Sequence, residues 1–293
     1  MRKKRRSSRK RKSGAGLGDF LGILGAIVVL LALIGAGIYL AFSTEKQYAL
    51  DEDLCPDKGA RATYAVLLDT TDQLAPVTKA AVTKRIFDTL NDLPRFYRLS
   101  IYTMDENGLN EKPLRSVCNP GRTEQMGELE SRGFTANPEM IERKFSKFKE
   151  AIEDAVEKVF REDFEASQSP LLGSMQELVM ELPKPIATDK DKKHPAGDKF
   201  RAGRNRIIYV TDLMEHTKIF SIYRSGMNIG AFVKSRATEK FRADYTNTQL
   251  EFWIVRREIS GIKTQNLWNF WEKFLSQEFR AKVSRVEIMS GEI

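Results

Sequence analysis

The chain has 293 residues, with 48 Lys and Arg against 40 Asp and Glu and a formal net charge of +8. Nine of the basic residues fall between Arg2 and Lys12, so the remainder sits near neutrality and gives no global reason to expect nucleic acid. A hydrophobic fraction of 41% and a charged fraction of 30% are ordinary for a globular protein, and no repeat or long low-complexity tract is present.

After the basic run and a Gly-rich stretch, Phe20 to Phe42 contains no charged residue. As a helix rising ~1.5 Å per residue it would reach roughly 34 Å, enough to cross a ~30 Å hydrocarbon core. It is longer than the apolar core of a signal peptide, about 7–15 residues, and Tyr39-Leu40-Ala41-Phe42-Ser43 is a poor exit site. Positive charge resists translocation, while Glu45 to Asp57 is acidic on balance. The expected organisation is a basic cytoplasmic tail over 1–19, a transmembrane helix over 20–42, a tether over 43–61 and an α/β domain over 62–293. This makes a single-pass protein of the cell (inner) membrane, with its N-terminus cytoplasmic and its domain outside the cytoplasm. Gly14, Gly18, Gly22 and Ala26 recur at four-residue steps, and Ala32 and Ala36 repeat the pattern. Small residues at that spacing let helix backbones approach closely, so a homo-oligomer or a docked second helix is expected. Asp19 lies at the cytoplasmic lip of the run. An acidic group there supports an alternative, a subunit of an ion-driven or sensing membrane complex whose span itself carries function.

The tether leads into Ala62-Thr63-Tyr64-Ala65-Val66-Leu67-Leu68, a short β-rich apolar run suited to a strand buried on both faces, which ends at Asp69. Val77, Ala81, Ile86, Leu90 and Leu93 mark a helix. Arg98 to Met104 is a second strand, Asn107-Gly108 signals a hairpin, and Leu114 to Cys118 should return antiparallel. That return brings Cys118 to the end of the sheet where the first strand starts, near Cys55. In an oxidising compartment the two are expected to form a disulfide. Asn137-Pro138 opens a long amphipathic helix carried by Ile141, Phe145, Phe148, Ile152, Val156, Val159 and Phe160. Ser169 to Leu182 is helical, and Pro183 to Asn205 reads as a surface loop. Ile207 to Thr211 is a strand ending at Asp212, and Leu250 to Val255 is the next. Leu267, Trp268, Trp271, Phe274 and Leu275 form a closing helix before a final edge strand over Val283 to Met289. Strands alternating with helices imply α/β with a mostly parallel sheet.

Ligands of such sheets bind where strands end, at the point where strand order reverses. Asp69 and Asp212 both end central strands, Thr71 follows the first at two residues, and Ser169-Pro170-Leu171 opens a helix. Carboxylate and hydroxyl oxygens together suit a hard cation such as Mg²⁺, Mn²⁺ or Ca²⁺. These segments resemble the von Willebrand factor A (VWA) family. Tyr64 to Thr71 is similar to its opening strand and Asp-x-Ser-x-Ser loop. Ser169 to Met175 is similar to its Thr-Pro-Leu-Gly-x-Ala-Leu segment, and Ile207 to Asp212 to its strand closing in Thr-Asp-Gly. The resemblance covers roughly 61–293. It implies a doubly wound, Rossmann-like sheet with helices on both faces, and a metal-ion-dependent adhesion site with ligands Asp69, Thr71, Ser169 and Asp212. The chain departs from the pattern at Gln73, in place of the second Ser, and at Leu213, in place of the Gly. The expected function is binding: a membrane scaffold holding a protein partner, within a membrane complex, at the rim around Asp69.

An enzyme is not expected. The chain has two histidines, His194 in the polar loop and His216 just past Asp212, and neither has a partner set for nucleophilic catalysis. No Gly-rich phosphate loop precedes a helix, and neither cysteine has a thiolate-activating motif.

Overall fold

The computed structural model describes residues 17–43, 50–57, 59–125, 137–162, 165–185, 204–257 and 259–292, with side chains in the first helix described at 22 and 24–38 and only backbone at 290–292. Gly14 and His194 lie outside these residues, as do the side chains of Gly18 and Asp19. The chain divides into two units, 1–47 and 48–293.

In the first unit, α1 is a helix of 27 residues, Leu17–Ser43. Leu24, Val28, Leu31 and Leu33 are all exposed on it. Among the described residues no helix is long and apolar enough to cross a membrane. In α1 the side chains are described continuously only over 24–38, fewer than the ~20 residues a span requires.

The second unit is built on one seven-stranded, mostly parallel sheet. Its strands are β1 (Thr63–Asp69), β2 (Arg98–Asp105), β3 (Gly108–Leu109), β4 (Arg115–Cys118), β5 (Asn205–Thr211), β6 (Thr248–Arg256) and β7 (Lys282–Glu292). The order is β3-β2-β1-β5-β6-β7, with β4 also paired to β2. All pairs are parallel except those of the short β3 and β4 with β2. The hairpin forms where Asn-Gly predicts it. Asp105 Oδ1 accepts from Asn107 N at 2.7 Å, and Gly108 takes φ +116°, a conformation open to glycine.

The helices are α2 (Pro76–Asp92), α3 (Pro138–Arg161), α4 (Leu171–Glu181), the short α5 (Ile222–Ser225), α6 (Ile229–Lys234) and α7 (Ala237–Lys240), and α8 (Thr264–Gln277). Asn137 caps α3 by accepting from Glu139 N and Met140 N, with Pro138 in the first turn. Strand alternation sorts the core into two layers. Val66, Leu68, Ile101, Ile208 and Trp253 pack under α2 and α3. Ala65, Leu67, Tyr209, Phe252 and Ile254 face α4, α8 and the short helices, where Phe220, Phe232, Phe270 and Trp271 gather. The expected aromatic core of α8 is present, with Trp271 fully buried and Trp268 8% exposed.

Two expectations need correcting. In α2 Val77 is 58% exposed, and the buried stripe is Thr78, Val82, Ile86 and Leu90. That stripe repeats every four residues from one position later, so Val77 points away from β1. The expected tether over 43–61 is also only partly a tether. Asp51 Oδ1 accepts from Asp53 N at 3.0 Å and Cys55 N at 2.8 Å, Leu50 bridges to Pro56, and Asp53 O accepts from Cys118 N at 2.9 Å. Cys55 and Cys118 are joined with Cα atoms 4.8 Å apart. The segment from Leu50 onward is thereby fastened to β4 and belongs to the α/β unit.

Candidate functional site at the strand-order reversal

From β1 the chain builds outward through β2 to the hairpin; from β5 it builds the other way through β6 to β7. The reversal lies between β1 and β5, and their C-terminal ends place Asp69 beside Thr211 and Asp212. Thr211 Oγ1 donates to Asp69 Oδ2 at 2.7 Å. Asp69 Oδ1 accepts from Thr71 N at 3.1 Å and Thr71 Oγ1 at 2.6 Å. Asp212 is buried, and its Oδ1 accepts from Met214 N at 2.9 Å. These residues, with Asp72, line one cleft.

The cation of this cleft comes from the chain itself. Arg257 follows β6, the strand next to β5. Its Nη1 donates to Asp212 Oδ2 at 2.9 Å, and its Nη2 to Asp72 Oδ1 at 3.0 Å. Nη1 also pairs with Asp72 Oδ2. The guanidinium therefore ties the β1 loop to the end of β5, and it lies 6.0 Å from the ring centre of Tyr223.

Ser169, the fourth expected ligand, enters differently. Its backbone pairs with His216, N to O at 3.0 Å and O from N at 2.9 Å, which places it beside the segment that follows Asp212. Its Oγ is buried and has no hydrogen-bond partner among the described residues. It does not line the cleft that holds Asp69, Thr71 and Asp212. His216 Nδ1 shares a hydrogen bond with Ser221 Oγ at 2.7 Å.

Two features were not read from the sequence. Glu215 is fully buried, and it accepts from Leu172 N and Thr217 Oγ1, both at 2.8 Å. It caps α4 from outside, since Pro170 offers that helix no side-chain cap. Leu213 takes φ +65°, a left-handed conformation rare for a bulky residue. It is held there by burial and by Trp271 Nε1, which donates to its carbonyl at 2.9 Å.

Burial raises all three carboxyls at the ends of these strands. Asp212 is pushed up to about 7 by desolvation and then by the neighbouring Asp69, against the lowering pull of Arg257. Glu215 is pushed up to about 7 by desolvation, against its hydrogen bonds from Leu172 and Thr217. Asp69 moves up for the same first reason, offset by Thr71 and Thr211. Arg257 would be lowered by burial, but its bonds to Asp212 and Asp72 raise it on balance. The raised carboxyls bind more protons folded than unfolded between about pH 4 and 7. Their contribution to stability is therefore complete below the unfolded pKa and is lost as pH rises through about 7. The melting temperature should therefore fall as pH is raised from 5.5 to 8. Asp212→Asn should flatten that slope in a series of thermal melts; an unchanged slope would show that these groups do not set it.

As arranged, the donor set does not fit a resident divalent cation. Every carboxylate oxygen of Asp69 and Asp212 already accepts a hydrogen bond, and the charge opposite Asp212 and Asp72 is Arg257. Among the described residues no group of three or more His, Cys, Asp or Glu is placed to hold a metal ion. Comparison with known proteins finds no protein-family model that matches the chain and no matching curated protein.

Proposed function

We propose that this chain is a membrane-anchored, VWA-like binding or scaffold protein that holds a protein partner at the C-terminal rim of its sheet. The observation that carries this reading is the rim itself. Asp69 and Asp72 from the β1 end, Asp212 from the β5 end and Arg257 from beyond β6 converge at the strand-order reversal, where open α/β sheets take their ligands. The family resemblance is supported by the strand order and by the left-handed backbone at Leu213. The metal-assisted form of this reading, with Mg²⁺, Mn²⁺ or Ca²⁺, would require Asp72 and Asp212 to give up Arg257.

Anchoring rests on α1, a continuous helix of 27 residues whose described apolar side chains are exposed on all sides. A helix apolar all round suits a lipid surrounding. A Cβ added at Gly22, one of the small residues at four-residue steps, would meet nothing within 4 Å, which leaves that position open to a second helix. A reporter active only outside the cytoplasm, fused after Ile293, should be active; cytoplasmic activity from the same fusion would contradict the orientation. The binding role is tested by co-purification from solubilised membranes. Asp69→Ala should lose the retained partner while its circular dichroism stays native, and full retention by the folded variant would reject the rim as the binding surface.

A further inference from the structure

We propose that the outer edge of β7 is a dimerisation edge, on which a second copy of the chain lays its own β7 antiparallel and joins the two sheets into one. β7 is the last strand on its side of the sheet. Among the described residues it pairs with β6 alone, so its other edge presents N–H and C=O groups that no strand takes up. Such an edge is a template for another strand, and native proteins commonly blunt it with a short length, a proline or lysines. β7 is 11 residues long, has no proline, and carries its one lysine at its first position, Lys282. Its register against β6 shifts on either side of Arg285 to Ile288, and that central stretch is regular. Val286 and Ile288 stand there 37% and 43% exposed.

The order of charges along β7 selects a second β7 as the strand that fits. Two copies of one strand pair about a two-fold axis, so a residue on the axis faces itself and its neighbours face each other. With the axis at Val286, Arg285 of each copy stands opposite Glu287 of the other. Within the chain Arg285 Nη2 meets Glu287 Oε2 at 2.8 Å, and Arg85 Nε lies 3.2 Å from the same oxygen. The paired strands therefore close a square of alternating charges, each with an opposite charge along its own strand and another across. Opposite charges directly across a strand pair stabilise it, and like charges there destabilise it. An axis at 285 would set Arg285 against itself, and an axis at 287 would do the same to Glu287. The charges thus fix the register at Val286, where the two valines meet on the other face of the sheet. This inference is independent of what the rim holds.

The test is disulfide trapping of the full chain in membranes, with copper phenanthroline as oxidant and non-reducing electrophoresis as the readout. Cα atoms directly across an antiparallel pair lie about 4.5–5.5 Å apart, inside the ~7 Å that a disulfide can bridge. Val286→Cys should therefore give a covalent dimer. Ile288→Cys should not, because it falls opposite Ser284 and lies about 13 Å along the strand from its counterpart, at ~3.3 Å per residue. Adding Arg285→Glu to Val286→Cys sets like charges across the axis twice and should cut the yield about tenfold. Mixing that variant with Glu287→Lys carrying the same cysteine should restore it, since only the mixed pair has opposite charges at both places. Circular dichroism checks that each variant is folded; if a charge variant is not, the contrast between positions 286 and 288 decides. No dimer from Val286→Cys overturns the inference, and a dimer held through α1 would give that result. So does equal yield from Ile288→Cys, or unchanged yield from the folded Arg285→Glu variant.

Discussion

Glu251→Ala should destabilise the α/β unit by about 3–5 kcal/mol, the cost of removing one partner from a buried ion network. Glu251 sits in the middle of β6 and is 2% exposed. Its Oε2 meets Arg206 Nη1 at 3.2 Å, and its Oε1 lies 3.8 Å from Arg85 Nη2 and 3.7 Å from Arg285 Nε. Trp253 Nε1 donates to Oε1 at 2.9 Å. Alanine removes the carboxylate that Arg206, Arg85 and Arg285 share and leaves the buried Trp253 indole N–H without its acceptor, while Arg85 keeps its pair with Glu287 at 3.2 Å. Glu251→Gln keeps an acceptor for Trp253 and the side-chain volume, so it should lose clearly less. Chemical denaturation of the two variants reads the difference. Equal small losses would mean that solvent already compensates the arginines.

Removing the Cys55–Cys118 link by a double Ser substitution should cost about 4 kcal/mol on the chain-entropy scale for a loop of this length. The sequence separation is 63 residues, and the loop contains all of β1, α2 and β2. The loss should concentrate at one end of the sheet, because the link fastens the 50–57 segment to β4. Hydrogen exchange should show deprotection of the backbone N–H at position 118, which donates to Asp53 O at 2.9 Å, before β5 or β6 opens. Mass mapping that finds both thiols free in protein from an oxidising compartment would remove the premise.

Much of the fold was legible because its signals are local. Tyr64 to Leu68 reads as a strand apolar on both sides, and it is buried on both. Asn137-Pro138 reads as a helix entry, and it caps α3. Asn107-Gly108 reads as a turn, and it closes the hairpin. What escaped the sequence depends on contacts between distant segments. Arg257 reads as one of two arginines after a strand, and only the pairing of β6 with β5 brings it to Asp212, 45 residues earlier, and to Asp72, 185 residues earlier. Glu251 reads as a polar position in an apolar strand, and its arginines come from α2, β5 and β7. The short helices between Ile222 and Lys240 carry too few turns for a periodic signal; aromatic packing around Phe232 holds them. At the candidate site, the convergence of Asp69, Thr71 and Asp212 follows from where central strands end. The placement of Ser169 off that cleft and the arrival of Arg257 do not.

The claim that a partner is held at this rim is tested most directly by photo-crosslinking in intact membranes from position 73, an exposed residue next to Asp72. The account predicts one discrete adduct from that position. The adduct should be lost when Asp69→Ala or Asp212→Ala is added and kept in Asp19→Asn. An adduct that survives both rim substitutions and disappears with Asp19→Asn would contradict the account, and would move the function from the rim of the sheet to the membrane helix.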